Sequence, residues 1–201
     1  QPRAVQDTLN SVVKDHKIDI SSAEISDEEL KNVKDIQIVA CGSAYHVGVC
    51  AQYVFEDFCR IPVRVELASE FRYRKPILHG KETLVIVVSQ SGETADSLAA
   101  LREAKELGAL TLGIVNVVGS SIAREADHVL YTLAGPEIAV ATTKAYSAQL
   151  IAMYVLALKL SEIHHILDEN ELSEKMSALE KIPQQIEKIL EDKERIQWFA
   201  A

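Results

Sequence analysis

The sequence predicts an α/β fold: a three-layer αβα sandwich on a mainly parallel five-stranded sheet, with flanking helices. Three observations carry this expectation. Residues 84–88, Leu-Val-Ile-Val-Val, form an unbroken branched run of the kind that lies in a sheet covered on both faces. Further strand-like runs alternate with helical periodicity along the chain, which favours parallel strands joined by crossover helices. The chain has 201 residues, 48% of them hydrophobic, enough to bury one core with extensions.

Residues 2–14 open the chain with Val5, Leu9, Val12 and Val13 at helical spacing and Pro2 where a helix start tolerates proline. Ser26-Asp27-Glu28-Glu29 then forms a capping-box pattern ahead of Leu30 and Val33, predicting a short helix. Residues 36–41 read as the first strand, Gly42-Ser43 as a tight exit, and residues 44–58 as a helix. Pro62 interrupts, and residues 63–67 alternate as a second strand.

The run at 84–88 is the third strand. From Thr94 the pattern turns helical, with Leu98, Leu101 and Ala104 on one face and Gly108 closing the helix. Residues 110–116 give a fourth strand, Gly119-Ser120-Ser121 a short helix, and residues 127–132 a weaker fifth strand. Gly135-Pro136-Glu137 is a loop, after which Thr142-Thr143-Lys144 lead into a long apolar helix ending near residue 163. Beyond Ser161 two helical segments are expected, around 175–181 and 184–198, separated by Pro183. The second keeps Ile186, Ile189, Leu190, Ile196 and Trp198 apolar and so expects a partner surface within the domain or outside it. The expected divisions are a helical leader over 1–34, an α/β domain over 35–163 and a helical extension over 164–201.

Composition bounds the function. A net charge of −9 without clustered Lys and Arg argues against a nucleic-acid surface. The apolar stretches are too short to span a bilayer and the start lacks a basic-then-apolar leader, so a cytoplasmic protein without a membrane partner is expected. Gln1 in place of an initiator methionine is the start expected of a piece of a longer protein. Cys41, Cys50 and Cys59 show no metal-binding spacing, so reduced and mostly buried thiols are expected, with no metal and no cofactor.

In a parallel α/β sheet, ligands bind outside the carboxyl ends of the strands. Three polar strand ends are expected to meet there: Cys41-Gly42-Ser43, Ser89 to Thr94, and the helix entry at Val140 to Thr143. The second offers three hydroxyls, free backbone N–H groups around Gly92 and a helix N-terminus, which suits an anion. No Lys or Arg lies between Ser89 and Thr94, unlike the nucleotide P-loop, so a small monophosphate such as a sugar phosphate fits better than a metal-bound triphosphate. An equal reading is that Ser91 caps the helix and Glu93 favours its first turn. Lys144 sits against the helix dipole and is expected to pair with Glu137, contact an anion or face solvent. Arg72, Arg74 and Lys75 form a local basic cluster, read as a solvated face or subunit contact ahead of a phosphate contact. Tyr45 and His46 lie beside the first turn and read as packing or surface residues ahead of ligand contacts. Cys41 has no recognisable base partner, and no catalytic triad, acid–base pair or metal cluster is evident, so no catalytic residue is assigned.

Taken together, Cys41-Gly42-Ser43, Ala68-Ser69-Glu70-Phe71, Ser89-Gln90-Ser91-Gly92-Glu93-Thr94 and Gly135 to Ala145 resemble the sugar isomerase (SIS) fold. Within it they are similar to the first half of the isomerase domain in the glucosamine-6-phosphate synthase family. The resemblance implies that Ser89, Gln90, Ser91 and Thr94 hold the phosphate of fructose 6-phosphate or glucosamine 6-phosphate, and that Cys41, Ser43 and Val140 line the sugar. The family motif runs Cys-Gly-Thr-Ser where this chain has Cys-Gly-Ser-Ala, so Ser43 keeps a hydroxyl and Ala44 does not. Its third loop carries Gly and Ser where Ala139 and Thr142 stand. The resemblance further implies a homodimer, and an enzyme whose glutaminase domain and second SIS subdomain lie outside this chain, leaving it inactive alone. The alternative is a stand-alone SIS sensor or binding module.

Overall fold

The computed structural model describes residues 1–138 and 142–200. Five strands form one parallel sheet: β3 (Asp35–Ala40), β4 (Val63–Leu67), β5 (Thr83–Ser89), β6 (Leu110–Val115) and β7 (His128–Tyr131). Their spatial order is β4-β3-β5-β6-β7. The chain therefore steps outward from β3 to β4, then returns past β3 to place β5 on its other edge. The strand order reverses between β3 and β5, and their carboxyl ends open a crevice.

The sheet is covered on both faces because its strands are apolar on both, and alternate residues sort into two cores. Ile36, Ile38, Leu84, Ile86, Val88, Leu112 and Ile114 face α1 (Pro2–Val12), α3 (Ser43–Cys59) and α7 (Lys144–His164). Val39, Val85, Val87 and Val115 face α4 (Ala68–Phe71), α5 (Ala95–Glu106) and α6 (Ser121–Glu125). The predicted three-layer α/β arrangement is the observed one.

Local chemistry sets the boundaries. Helix α1 ends two residues short of expectation because Asp15 and His16 both take left-handed φ, of 50° and 58°. They close a two-residue turn between β1 (Val13–Lys14) and β2 (Lys17–Ile18). The capping box forms as its sequence predicts: the Ser26 hydroxyl accepts from Glu29 N–H, and the Glu29 carboxylate accepts from Ser26 N–H, starting α2 (Asp27–Lys31). Gly108, at φ 79°, ends α5 with the two bonds of a Schellman motif, Ala109 N–H to Ala104 O and Gly108 N–H to Lys105 O.

At the C-terminus, Asp168 and Glu171 make a second capping box that starts α8 (Glu169–Glu180) earlier than apolar spacing alone suggests. The expected break at Pro183 is present: α8 ends at Glu180, Lys181 lies between, and Pro183 sits in the first turn of α9 (Ile182–Leu190), where its missing N–H costs nothing. Ile186 packs on the main core, whereas Ile189, Leu190 and, in α10 (Lys193–Ala200), Ile196 and Trp198 are exposed, Trp198 by 74%. Cys59 is buried, Cys41 half-buried and Cys50 exposed, so the expectation of mostly buried thiols fails at Cys50. It is exposed on α3, with its sulfur 3.8 Å from the hydroxyl of Tyr146 on the neighbouring α7. Burial pushes the Cys59 thiol up to about 12, which leaves it unreactive.

Two close fits are open to test. A Cβ on Gly48 would lie 2.8 Å from both Ile38 Cγ2 and Val65 Cγ1, so α3 approaches the sheet only because that position is bare. Gly48→Ala is expected to lower unfolding free energy by about 1–3 kcal/mol, read from urea denaturation. Asp127, at the start of the β7 edge, accepts from the Thr111 N–H and hydroxyl and lies 3.1 Å from Lys105. Burial raises its pKa, but bonds from Thr111 and Lys105 outweigh that and bring it down to about 2, from 3.8. A carboxyl depressed in this way stabilises the fold above pH 4 and loses that contribution as pH falls toward 2. The urea midpoint of the parent chain should therefore fall more steeply between pH 5 and 2.5 than that of Asp127→Asn.

Candidate functional site

The crevice between the carboxyl ends of β3 and β5 holds a cleft of about 310 Å³. It is lined by Cys41, Gly42, Ser43 and Ala44 from the β3 exit, Val88 to Ser91 and Thr94 from the β5 exit, and Thr142 and Gln149 from the start of α7. Six of the seven residues singled out in the sequence, Cys41, Ser43, Ser89, Gln90, Ser91 and Thr94, thus meet in one cavity. The seventh, Val140, lies outside the described residues, as does Ala139.

The β5 loop is fixed by its own polar groups. Ser89 Oγ accepts from Gly92 N–H at 3.0 Å and lies 3.3 Å from Thr94 Oγ1, and Ser91 Oγ accepts from Glu93 N–H at 3.2 Å. Thr94 is the N-cap residue of α5, yet no side chain caps that helix. The reading of Ser91 as a helix cap is therefore corrected: its oxygen turns back on the loop two residues ahead. Each hydroxyl that accepts a backbone N–H keeps its own O–H as a donor; the Ser91 hydrogen meets no acceptor among the described residues, and the Ser89–Thr94 pair uses one of its two hydrogens internally. Helix α3 likewise starts at Gly42, at φ 57°, without a side-chain cap. Two helix N-termini thus border the cleft, one from each face of the sheet.

Neighbouring segments brace the loop. Glu93 does not serve its own helix; its carboxylate accepts from Ser121 N–H at 2.8 Å, capping α6, and the bonds from Ser121 hold its pKa below the usual carboxylate range. Gly92 O accepts from Ile122 N–H at 3.0 Å, and a Cβ on Gly92 would fall 2.0 Å from Ser120 Oγ. Gly92 is held at φ 69°, so it meets both a steric and a conformational need for glycine. Asn116 ties the β6 exit to the approach to α7, donating to Gly135 O and accepting from Ala134 N–H, each at 2.9 Å. Sequence reasoning passed over Asn116; its place after a buried strand was the available signal.

The charges near the site are already engaged. Glu137 accepts from the Thr143 and Ala145 N–H groups and so caps α7; burial raises its pKa, but these bonds outweigh it and keep the group low. Lys144 does not pair with Glu137; it donates to Pro136 O at 2.7 Å in an exposed position. Arg72 lies 2.7 Å from Asp96 in the first turn of α5, neutralising a carboxylate that would repel an anion there. Arg74 forms a two-pronged pair with Glu66. Tyr45 packs on the main core, His46 is exposed, and neither lines the cleft. Among the described residues, no group of three His, Cys, Asp or Glu could hold a metal ion, and no helix is long and apolar enough to cross a membrane.

A parallel sheet with a hydroxyl-lined crevice at its strand-order reversal defines a class of open α/β domains that take small ligands above the sheet. Residues 29–159 match the model of the SIS domain, and the chain belongs to that family. It is 52% identical, over all of its length, to glutamine–fructose-6-phosphate aminotransferase (isomerizing) of Clostridium acetobutylicum, and 52% identical to the same enzyme of Caldanaerobacter subterraneus. It covers 33% of each, so the chain spans about a third of the length of these curated relatives. Its fold superposes on the C-terminal domain of glucosamine-fructose-6-phosphate aminotransferase from Francisella tularensis with a TM-score of 0.95 and 35% identity, over 99% of this chain and 56% of that one.

Gly92→Ala should deform the β5 loop before it disturbs the sheet. Its Cβ would displace Ser120, and alanine is strained at this φ. The expected result is faster amide hydrogen exchange at residues 91–97 and 120–123, with β5 still protected; unchanged exchange in both segments would contradict this account of the loop.

Proposed function

We propose that this chain is the part of a glutamine–fructose-6-phosphate aminotransferase that seats fructose 6-phosphate, with its phosphate on the β5 loop. The observation that carries the reading is the polarity of that loop. A phosphate dianion only accepts hydrogen bonds; Ser91 accepts from the Glu93 N–H and keeps its own O–H to donate, and of the Ser89–Thr94 hydroxyl pair only one hydrogen is used within the pair. Thr94, Gln90 and the uncapped amides of α5 complete a cradle of donors, with the helix dipole favouring negative charge. The sugar body extends toward Cys41, Ser43 and Val140. A neutral cradle suits a ligand that must also leave, since it supplies charge-assisted bonds without an opposing full charge.

The division of labour follows from the lining. Hydroxyls, amides and the half-buried Cys41 thiol bind and orient a phosphosugar; the proton transfers of ring opening and isomerisation belong to groups outside the seat. The 35–163 segment acts as the phosphosugar-binding unit. The match to aminotransferases along the whole chain supports this reading over a stand-alone sensor module. We also read the protein as a cytoplasmic homodimer: free cysteines fit a reducing compartment, and the exposed Ile189, Trp198 and Phe199 supply apolar contact area.

Calorimetric titration with fructose 6-phosphate tests the assignment. Ser89→Ala and Thr94→Ala should each weaken binding by about 1–3 kcal/mol, about 5- to 150-fold, with the thermal midpoint nearly unchanged for Thr94→Ala. Titration curves identical to those of the parent chain for both variants would place the phosphate elsewhere.

A further inference from the structure

Five buried side-chain atoms lack a hydrogen-bond partner among the described residues: Gln37 Oε1, Ser120 Oγ, His128 Nδ1, Thr132 Oγ1 and Gln149 Oε1. Gln149 alone of these lines the cleft between β3 and β5. It lies in the second turn of α7 and is 1% exposed. Desolvating an amide oxygen without a partner is costly, and at the wall of an open cleft the group is placed to take one from a molecule that enters it. The residue also stands where a sugar would need it. α5 approaches the cleft from one face of the sheet, whereas α3 and α7 approach from the other. A ligand whose phosphate rests on α5 directs its hydroxyl-bearing body toward the α3 and α7 side. There the wall contributes Ala44, whose side chain offers no hydrogen bond, together with Ser43, Thr142 and Gln149.

The geometry points to Gln149 as a specificity-determining residue of this site, its amide oxygen accepting a hydrogen bond from a hydroxyl of the sugar body. This rests on the phosphosugar reading above, and it separates two functions within one cleft. The β5 loop recognises the phosphate and is indifferent to what carries it. Gln149 recognises the carrier and is indifferent to the phosphate. Discrimination of this kind is strong because a ligand lacking the hydroxyl leaves the buried amide unsatisfied.

Gln149→Met keeps the length of the side chain and removes its polar atoms. Calorimetry on the 201-residue chain should show fructose 6-phosphate weakened about tenfold, the size of one lost buried hydrogen bond. Inorganic phosphate and glycerol 3-phosphate should bind within twofold of the parent. A variant that weakens all three ligands equally, or none, overturns the inference. Should Gln149→Met fail to fold, the parent chain gives the answer: the Gln149 side-chain NH₂ resonances should move on addition of fructose 6-phosphate and stay in place with inorganic phosphate. Resonances unmoved by the sugar phosphate overturn the inference as well. Failure of the underlying site reading looks different, because then Ser89→Ala and Thr94→Ala also leave fructose 6-phosphate binding intact.

Discussion

β5 is hydrogen-bonded along both edges, to β3 and to β6, and all seven of its residues are buried. A strand so placed has no freedom of register, because a shift of one residue would exchange its two faces between cores that differ in shape. Helices α3 and α7 take their places from one face, through Leu84, Ile86 and Val88, and α5 from the other, through Val85 and Val87. The loop leaving β5 inherits this rigidity. Ser89 is the last residue of the strand and already part of the cradle, so the first hydroxyl of the site is positioned by the sheet itself.

The lining of the cleft contains no lysine or arginine among the described residues. Nearby cations are spent elsewhere: Arg72 on Asp96, Arg74 on Glu66, and Lys144 on a backbone carbonyl. Nearby carboxylates are spent as well, with Glu93 capping α6 and Glu137 capping α7. What remains facing the crevice is a set of dipoles, from hydroxyls and helix termini. Their orientation is fixed by contacts behind the loop, so the dipoles facing the crevice are preorganised. The bracing residues, Gly92 against Ser120 and Asn116 against Gly135, serve this purpose from positions that do not line the cleft beside α5.

Most of the elements were legible because each had a local cause. The second strand matches its predicted span of 63–67, and the capping box at Ser26 forms both of its bonds. The errors share a different origin. Ser91 and Glu93 adjoin the start of α5 in sequence, yet their partners are a loop amide and the start of α6, and Lys144 meets the Pro136 carbonyl rather than Glu137. Hydrogen-bond competition is decided by whichever donor or acceptor is nearest in space, and sequence spacing lists only some of the contestants. Gln149 was missed for a related reason. An amide within a long apolar helix carries no periodic signal, and its isolation becomes visible only once every surrounding group has found a partner.

The sequence by itself determined the layer architecture, the two-faced burial of the sheet and the hydroxyl chemistry of the loop after β5, since each follows from residue type and near-neighbour spacing. Only the tertiary structure decided that β5 pairs with β3 rather than with the β4 that precedes it. That choice rests on long-range packing of two cores, which no local pattern encodes. It is also what matters most for the site, because the hydroxyl-lined crevice lies where the strand order reverses.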